Sequence, residues 1–303
     1  MKPAISCFVV AYNRDQLIET CLRGARFADQ LIVIDKSSTD NTATIAQRLA
    51  DQVITVPWSP TVEATRALAL SHCVHDWILC LDDDEILSPD AVRYLHGRHF
   101  DQQADVHYIP LKHYILGRFD PRAYYWPEHH PRFFRRGAVE FRPVVHGGLH
   151  VRSEKTAWIP ADSGICIHHL SNADVAGWIE KTNRYTASPT RVRVEDDHTD
   201  LAAFAHARID HWISRTQEAG TDQYPASVAL LRAIYDIVDR LKTYEEQHPN
   251  GALETTRAQL ARAFDHLEAT VRVEGANASK QGEGALPPST PHQRQASGHP
   301  VIF

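Results

Sequence analysis

Residues 76–88, DWILCLDDDEILS, place four consecutive acidic residues directly after an apolar run. The run at 77–81 has the length and composition of a buried strand, so the carboxylates are expected at the edge of a sheet. Four carboxylates so close together repel one another in a partly dehydrated cleft unless a cation lies among them. Oxygen ligands without a neighbouring Cys or His suit Mg²⁺ or Mn²⁺, which complete their shell with water and substrate phosphate. The segment therefore predicts a metal site for a diphosphate, and a solvated acidic turn before a helix at Ser88 is the alternative.

The composition indicates a large soluble protein. The chain has 303 residues, 43% of them hydrophobic and 23% charged, which is enough to bury one substantial core with an appended subdomain. A formal net charge of -6 argues against general attraction to nucleic acid, so no nucleic-acid partner is expected. Five cysteines without a Cys-x-x-Cys pair fit a reducing compartment. No apolar run approaches the roughly 18 to 20 residues of a membrane span, and the sequence therefore predicts a cytoplasmic protein.

Strand-like and helix-like patterns alternate through the first third of the chain. Strands are predicted at 4–10, 31–34, 52–56 and 77–81, and helices at 15–26, 42–50 and 62–73. This alternation is typical of a parallel sheet covered by helices. Ligands of such sheets bind beyond the carboxyl ends of the strands, where Asn13, Asp35 and Asp84 are expected.

The pattern changes beyond the first hundred residues. Shorter mixed segments, rich in His, Arg, Tyr and Trp between them, lead to an apolar strand at 164–168, after which helical spacing returns at 201–212 and 228–241. Beyond about Glu274 the chain is mostly Gly, Ser, Pro, Gln and Ala, a composition that predicts disorder. The predicted regions are an α/β part at 1–104, a mixed extension at 105–172, C-terminal helices at 173–273 and a disordered tail at 274–303.

Several segments match one family in the same order along the chain. They are ISCFVVAYNR at 5–14, LIVIDKSSTDNT at 31–42, Arg66 with ALAL after it, DWILCLDDDEILS at 76–88, RFFRR at 132–136, VVH at 144–146, IHH at 167–169 and KTNRY at 181–185. Together they resemble the family 2 glycosyltransferases of the GT-A fold, particularly the lipopolysaccharide-core and capsule branch. The resemblance covers roughly residues 4–247, and its strength lies in the collinear set rather than in any one fragment.

The resemblance implies both a fold and an activity. The fold is an α/β, Rossmann-like, mostly parallel sheet with helices on both faces, a small mixed α+β acceptor region and a C-terminal helical extension. The activity is metal-dependent, inverting transfer of a sugar from a nucleotide sugar, with UDP as the expected nucleotide, to a saccharide or lipid-linked acceptor in surface-glycan biosynthesis. Peripheral contact with the inner membrane through Trp178 and Trp212 would suit a lipid-linked acceptor, although core packing explains these aromatics equally well. No obligate protein partner is expected.

Site residues follow from the same resemblance. Asp82 and Asp84 are the expected metal ligands, because residues two apart on an extended segment point the same way while Asp83 points to the other face. The nucleotide-sugar-binding residues are Ala11, Tyr12, Asn13, Asp35, Ser37, Arg66, Asp82 and Asp83. Asp35 is expected to read a ring N–H of the base, or else to be an ordinary turn residue. Arg66 is either a cation on the diphosphate or an arginine held in a salt bridge.

The general base is less well defined, because the chain departs from the branch. Relatives usually carry an acidic residue after the His of the Val-His segment, where this chain has Gly147. His146 and Glu128 are the two candidates, and His129, His130, His168 and His169 are further possibilities. A zinc site built from the paired histidines is not favoured, since neither pair has helical i, i+4 spacing. The arginines of RFFRR line an anionic acceptor or anchor a strand.

Two other functional classes compete with glycosyl transfer. A nucleotidyltransferase also combines a Rossmann-like sheet with acidic metal ligands, but it would carry a Gly-rich loop after the first strand, and AYNRDQL has no glycine. A glycosyltransferase-like module that binds nucleotide or glycan without turnover is suggested by Gly147.

Overall fold

The structure is a computed structural model that describes residues 2–59, 62–142, 148–189, 191, 200–218, 220–249 and 251–281. Met1–Gln247 form one compact unit and His248–Phe303 a second. The predicted regions 1–104 and 105–172 belong to the first unit, whereas the predicted region 173–273 is divided between the two units after Gln247.

The first unit begins with alternating strands and helices. They are β1 (Ile5–Ala11), α1 (Ile18–Ala25), β2 (Gln30–Asp35), α2 (Thr42–Leu49), β3 (Gln52–Thr55), α3 (Glu63–His72) and β4 (Trp77–Asp82). The four strands are parallel in the order β3-β2-β1-β4, so the carboxyl ends of β1, β2 and β4 lie side by side. This part of the predicted fold is confirmed.

Side chains of β1 alternate between two cores, one on each face of the sheet. Cys7 and Val9 pack in the cluster that contains Leu22 of α1, whereas Phe8 and Val10 pack in the cluster that contains Ala69 of α3. The two-residue period of a strand explains the alternation. Because both faces are covered, every residue of β1 is buried and reads as a continuous apolar run.

The sheet continues with strands of mixed direction. The elements are β5 (Glu85–Leu87), α4 (Pro89–Gly97), β6 (Val106–Ile115), β7 (Glu128–Arg135), β8 (Val139–Phe141), β9 (Leu149–Val151), β10 (Thr156–Trp158) and β11 (Ile167–Asn172). β7 lies antiparallel between β4 and β6, β11 is parallel to β6, and β8 pairs with β9 in a separate two-stranded sheet. Since β7 runs opposite to β4, its first residues lie near the carboxyl end of β4.

Three helices complete the first unit: α5 (Val175–Thr186), α6 (Leu201–Ile213) and α7 (Tyr224–Gln247). Asp236 of α7 is fully buried and accepts hydrogen bonds from Arg208 and from the indole N–H of Trp212. Trp178 and Trp212 are each only 8% exposed, so these two aromatics pack inside the protein. Core packing was the alternative to membrane contact in the sequence analysis. No helix among the described residues is long and apolar enough to cross a membrane.

The second unit contains α8, Gly251–Gln281. The predicted tail is therefore wrong for residues 274–281, which continue this helix. Their sequence, EGANASKQ, contains several good helix formers, and a single Gly costs only about 1 kcal/mol in a helix that is already formed. Residues 282–303 lie outside the described part of the chain.

Candidate active site

A cavity of about 690 Å³ opens where β1 and β4 end. Its walls also include the start of β7, part of β11, and side chains of α5 and α7. This is the edge at which open α/β sheets bind ligands. Asp82, Asp83 and Asp84 all line it.

The aspartates lie on a turn rather than on an extended segment. β4 ends at Asp82, β5 begins at Glu85, and the two residues between them form the turn. The expected alternation is therefore wrong: Asp83 does not point to the opposite face but lines the cavity and accepts the backbone N–H of Tyr12 at 2.8 Å.

Arginines from distant segments neutralise much of this negative charge. Asp82 accepts from Arg66 at 2.5 and 2.7 Å and from Arg132 at 3.0 Å. Arg132 also pairs with Glu85, which is fully buried. The sequence suggested that a metal ion is needed to offset the repulsion. The cluster does not require one for this purpose, because the fold brings guanidinium groups to it. Arg66 has the salt-bridged role that was the alternative to direct contact with a diphosphate.

The other two aspartates share Arg14. The Arg14 guanidinium lies 3.4 Å from Asp83 Oδ1 and 3.7 Å from Asp84 Oδ2, and His169 Nε2 lies 3.4 Å from Asp84 Oδ1. Burial and the neighbouring Asp84 charge raise the pKa of Asp83 to about 7. Burial acts in the same direction on Asp82 and Asp84, but the adjacent arginines and His169, respectively, outweigh it and hold the pKa of each well below its usual value. Asp82 and Asp84 are thus ionised at neutral pH, whereas Asp83 is only partly ionised.

The predicted nucleotide-sugar residues divide into two groups. Tyr12, Arg66, Asp82 and Asp83 line the cavity, whereas Ala11, Asn13, Asp35 and Ser37 are not among the described residues that line it. The second group builds the adjoining turns.

Each member of that second group has a local role. Asp35 is 2% exposed and accepts the Ser38 backbone N–H at 3.2 Å, which is the turn role that was its alternative. Asn13 Oδ1 accepts the Thr39 N–H at 2.8 Å, and Ser37 donates to the Val56 carbonyl at 2.7 Å. Direct contact of these residues with a nucleotide stays a prediction.

Trp58 and Arg14 are site residues that sequence reasoning missed. Trp58 follows β3, is 50% exposed, and its ring centroid lies 6.1 Å from that of Tyr12 at the rim of the cavity. A Trp in the loop directly after the predicted strand 52–56 was the available signal. Arg14 directly follows the Tyr-Asn pair at the end of β1, but nothing in its spacing indicated the contact with Asp83.

A line of titratable side chains runs from the aspartate turn to the start of β7. His169 Nδ1 lies 2.8 Å from His113 Nδ1, and these residues are partners in the β11–β6 register. His113 Nε2 lies 3.0 Å from Glu128 Oε2, and His130 Nε2 lies 3.1 Å from Glu128 Oε1. The chain of contacts therefore reads Asp84, His169, His113, Glu128, His130.

The environments of these groups differ. Burial lowers the pKa of His113 to about 4, so its ring is neutral at pH 7. Burial also opposes the charge on His169, but Asp84 outweighs it and raises the pKa of that imidazole. Burial opposes the Glu128 charge as well, yet the contacts with His113 and His130 prevail and keep the Glu128 pKa well below its usual value.

The candidate bases differ in their positions and in their contacts. Glu128 lines the cavity, but a carboxyl with a depressed pKa accepts a proton poorly near neutrality. His146 lies outside the described residues, as does Gly147; the next described residue, Gly148, lines the cavity. His169 contacts Asp84, whereas His129 bonds the Ile159 carbonyl at 2.9 Å.

The remaining RFFRR arginines hold β7 in place. Arg135 Nε lies 3.3 Å from Asp105 Oδ1, and the Arg135 guanidinium carbon lies 4.4 Å from the centroid of the Trp77 ring. Arg136 donates to the His75 carbonyl at 2.9 Å. These contacts support the anchoring role rather than an acceptor site.

Comparisons with known proteins agree with the family that the sequence resembles. Residues 6–156 match the model of Glycosyl transferase family 2. An uncharacterized glycosyltransferase of Rickettsia prowazekii is 28% identical over 197 residues, which cover 62% of this chain and 67% of that protein. One of Rickettsia felis is 32% identical over 152 residues, covering 48% of this chain and 53% of that protein. The matches thus span between about half and two thirds of these relatives.

Solved structures with similarity to this chain include two bacterial proteins. S. aureus TarS 1-349 is 15% identical, with 79% of this chain and 82% of that chain covered and a TM-score of 0.42. Glucosyl-3-phosphoglycerate synthase from Mycobacterium tuberculosis, in complex with Mn²⁺, UDP and glucosyl-3-phosphoglycerate, is 23% identical, with 37% and 44% covered and a TM-score of 0.31.

Proposed function

Because this chain carries a glycosyltransferase family 2 domain and is a glycosyltransferase, we propose that it transfers a sugar from a nucleotide sugar, with a UDP sugar as the expected donor. The acceptor is a saccharide or a lipid-linked saccharide of a surface glycan, and the reaction is a metal-dependent displacement with inversion. The observation that carries the proposal is the convergence of three aspartates, Arg14 and Lys181 in one cavity at the ends of β1 and β4.

Aromatic side chains at the rim of the cavity and cationic side chains beside the aspartate turn suit the two halves of a nucleotide. Tyr12 and Trp58 offer apolar faces on which a base can stack. The turns that contain Asn13, Asp35 and Ser37 border this end and would shape the base pocket. Arg14, which lies beside Asp83 and Asp84, and Lys181, which lines the same cavity, would attract the diphosphate. The donor would therefore lie with its base at the rim and its diphosphate over the aspartate turn.

The aspartate turn fits a divalent ion at one position in particular. Asp84 Oδ1 and His169 Nε2 are 3.4 Å apart, so one divalent ion could contact both side chains. Asp82 is held by two guanidinium groups, so we propose Asp84 and His169 as the side chains that would hold Mn²⁺ or Mg²⁺, with Asp82 beside them. When bound, the ion would neutralise charge on the departing nucleoside diphosphate.

The acceptor hydroxyl needs a base as its oxygen attacks the anomeric carbon. In this displacement the new C–O bond forms while the bond to the diphosphate breaks, and the hydroxyl proton passes to a protein group. The depressed pKa of Glu128 makes it a weak base, so we propose His146 for this role. An imidazole has a pKa suited to proton transfer near neutrality.

A panel of nucleotide sugars incubated with Mn²⁺ or Mg²⁺ tests the proposal. The wild-type protein should release UDP from one of them, and Asp84→Asn should lose both this release and the Mn²⁺-dependent part of UDP binding. Asp210→Asn on α6 is the matched control, because Asp210 is exposed and far along the chain from the turn.

Two outcomes would point elsewhere. Nucleotide binding without turnover of any sugar in either protein would indicate a binding module. Release of pyrophosphate from a nucleoside triphosphate would indicate a nucleotidyltransferase.

A further inference from the structure

We propose that His113, Glu128 and His130 form a second metal site, for a borderline divalent transition ion such as Zn²⁺. One ligand atom from each residue lies within 4.8 Å of the others. The site is distinct from the aspartate turn, because none of its three ligands comes from that turn and two of the three are imidazole nitrogens.

The orientation of the two imidazoles is the main evidence. His113 Nε2 and His130 Nε2 are buried atoms without a hydrogen-bond partner among the described residues. Both nevertheless lie close to Glu128, at 3.0 and 3.1 Å. Two nitrogens therefore approach one carboxylate without aiming an N–H at either oxygen. Buried polar atoms are rarely left in this state, and an ion between the three groups would satisfy both nitrogens together.

The ligand types select the class of ion. Two imidazoles and one carboxylate suit zinc and similar transition ions, whereas Mg²⁺ prefers oxygen ligands. Three protein ligands leave a fourth position of a tetrahedral ion open. Because Glu128 and His130 line the cavity, that position would face the space in which an acceptor is expected. Water or an acceptor oxygen could occupy it.

The sheet holds the three ligands on one face. Glu128 and His130 are two residues apart on β7, so their side chains share a face. Glu128 pairs with Leu111 of β6, and His113 lies two residues beyond Leu111 on the same face. Ligands on neighbouring strands have no fixed spacing in sequence, which explains why the spacing of the paired histidines did not predict the site.

His169 supplies the outer contact that a metal-bound imidazole usually has. If His113 carries its proton on Nδ1, it donates to His169 Nδ1 at 2.8 Å and leaves its Nε2 lone pair for the ion. A neutral His169 that accepts this bond keeps its own proton on Nε2, toward Asp84. An ion held by Asp84 and His169 needs the opposite arrangement. This consequence, which rests on the proposed function, means that the two sites compete for the position of one proton.

Cobalt spectroscopy tests the second site without an activity measurement. The full-length chain is freed of metal with a chelator and titrated with Co²⁺, whose visible absorption reports its coordination. We expect one Co²⁺ per chain with the intense absorption of a low-coordinate site, displaced by Zn²⁺. His130→Ala and Glu128→Gln should each weaken Co²⁺ binding at least tenfold. Glu128→Gln preserves side-chain volume, so its result separates loss of a ligand from misfolding.

Two control variants locate the ion. His150→Ala removes an exposed histidine on β9 and should leave the Co²⁺ spectrum unchanged. Asp84→Asn should also retain the spectrum, even where it abolishes Mn²⁺-dependent UDP binding. A spectrum that survives both His130→Ala and Glu128→Gln, or that disappears in Asp84→Asn, would overturn the proposal. Failure of UDP binding with an intact Co²⁺ spectrum would count against the proposed function alone.

Discussion

Replacing Arg132 with methionine tests the electrostatics of the aspartate turn directly. Arg132 is 7% exposed and is shared by Asp82 and the fully buried Glu85. Removing one partner of a buried ion pair costs about 3–5 kcal/mol, because it leaves an uncompensated charge in the interior. For a compact unit of this size, each kcal/mol lowers the melting temperature by about 2–4 °C. Arg132→Met should therefore melt about 6–20 °C below the wild type.

Calorimetry or circular dichroism with the right comparisons measures this effect. Arg93→Met is the control, because Arg93 makes an exposed pair with Asp90 on α4 and such pairs contribute at most about 1 kcal/mol. Adding Glu85→Gln to Arg132→Met should recover part of the lost stability, since it removes the stranded charge. If Arg132→Met has the same melting temperature as the Arg93→Met control, or if the double variant is less stable than Arg132→Met, the account of the buried pair is wrong.

Three further predictions concern the cavity. Trp58→Ala should weaken UDP binding by about 5- to 150-fold in isothermal titration, because base stacking on an aromatic ring contributes about 1–3 kcal/mol. An unchanged affinity would remove Trp58 from the donor site. The pKa of His113 is about 4 in the folded protein, below its ordinary value of 6.5. Because the unfolded chain therefore binds the proton more readily, the free energy of unfolding should fall by roughly 3 kcal/mol as the pH falls from 6.5 to 4. In His113→Gln, the free energy of unfolding measured with urea should depend less on pH between those values than it does in the wild type. If the two proteins show parallel pH profiles, the assignment is wrong. Zn²⁺ at saturation should weaken Mn²⁺-dependent UDP binding, because the two ions need opposite proton positions on His169 and His113; equal affinity would show that His169 Nε2 does not ligate Mn²⁺.

The sequence predicted the parallel half of the fold well, because that half is built from local patterns. Apolar runs at 4–10, 31–34 and 77–81 became β1, β2 and β4, since a strand buried on both faces needs apolar residues throughout. The Ser88-Pro89 pair likewise predicted the start of α4, where Ser88 Oγ accepts the Ala91 N–H at 3.1 Å.

The tail shows where composition misled. Residues 274–281 have few apolar side chains, yet they extend α8. Adding residues to an existing helix lacks the cost of nucleation, so a segment that mixes good helix formers with Gly, Asn and Ser can continue one.

Within the candidate site, the sequence by itself determined which acidic residues end β4 and that they lie at the same edge of the sheet as the residues that follow β1 and β2. These are consequences of chain order and of parallel pairing. Only the tertiary structure decided what surrounds those carboxylates: Arg66 comes from α3, Arg132 from β7 and His169 from β11, and no local pattern records that they meet. The same holds for His113, Glu128 and His130, which face one another because β6 and β7 are neighbours in the sheet. Side chains far apart in sequence interact at distances that only packing of the elements sets, and charge compensation depends on those distances.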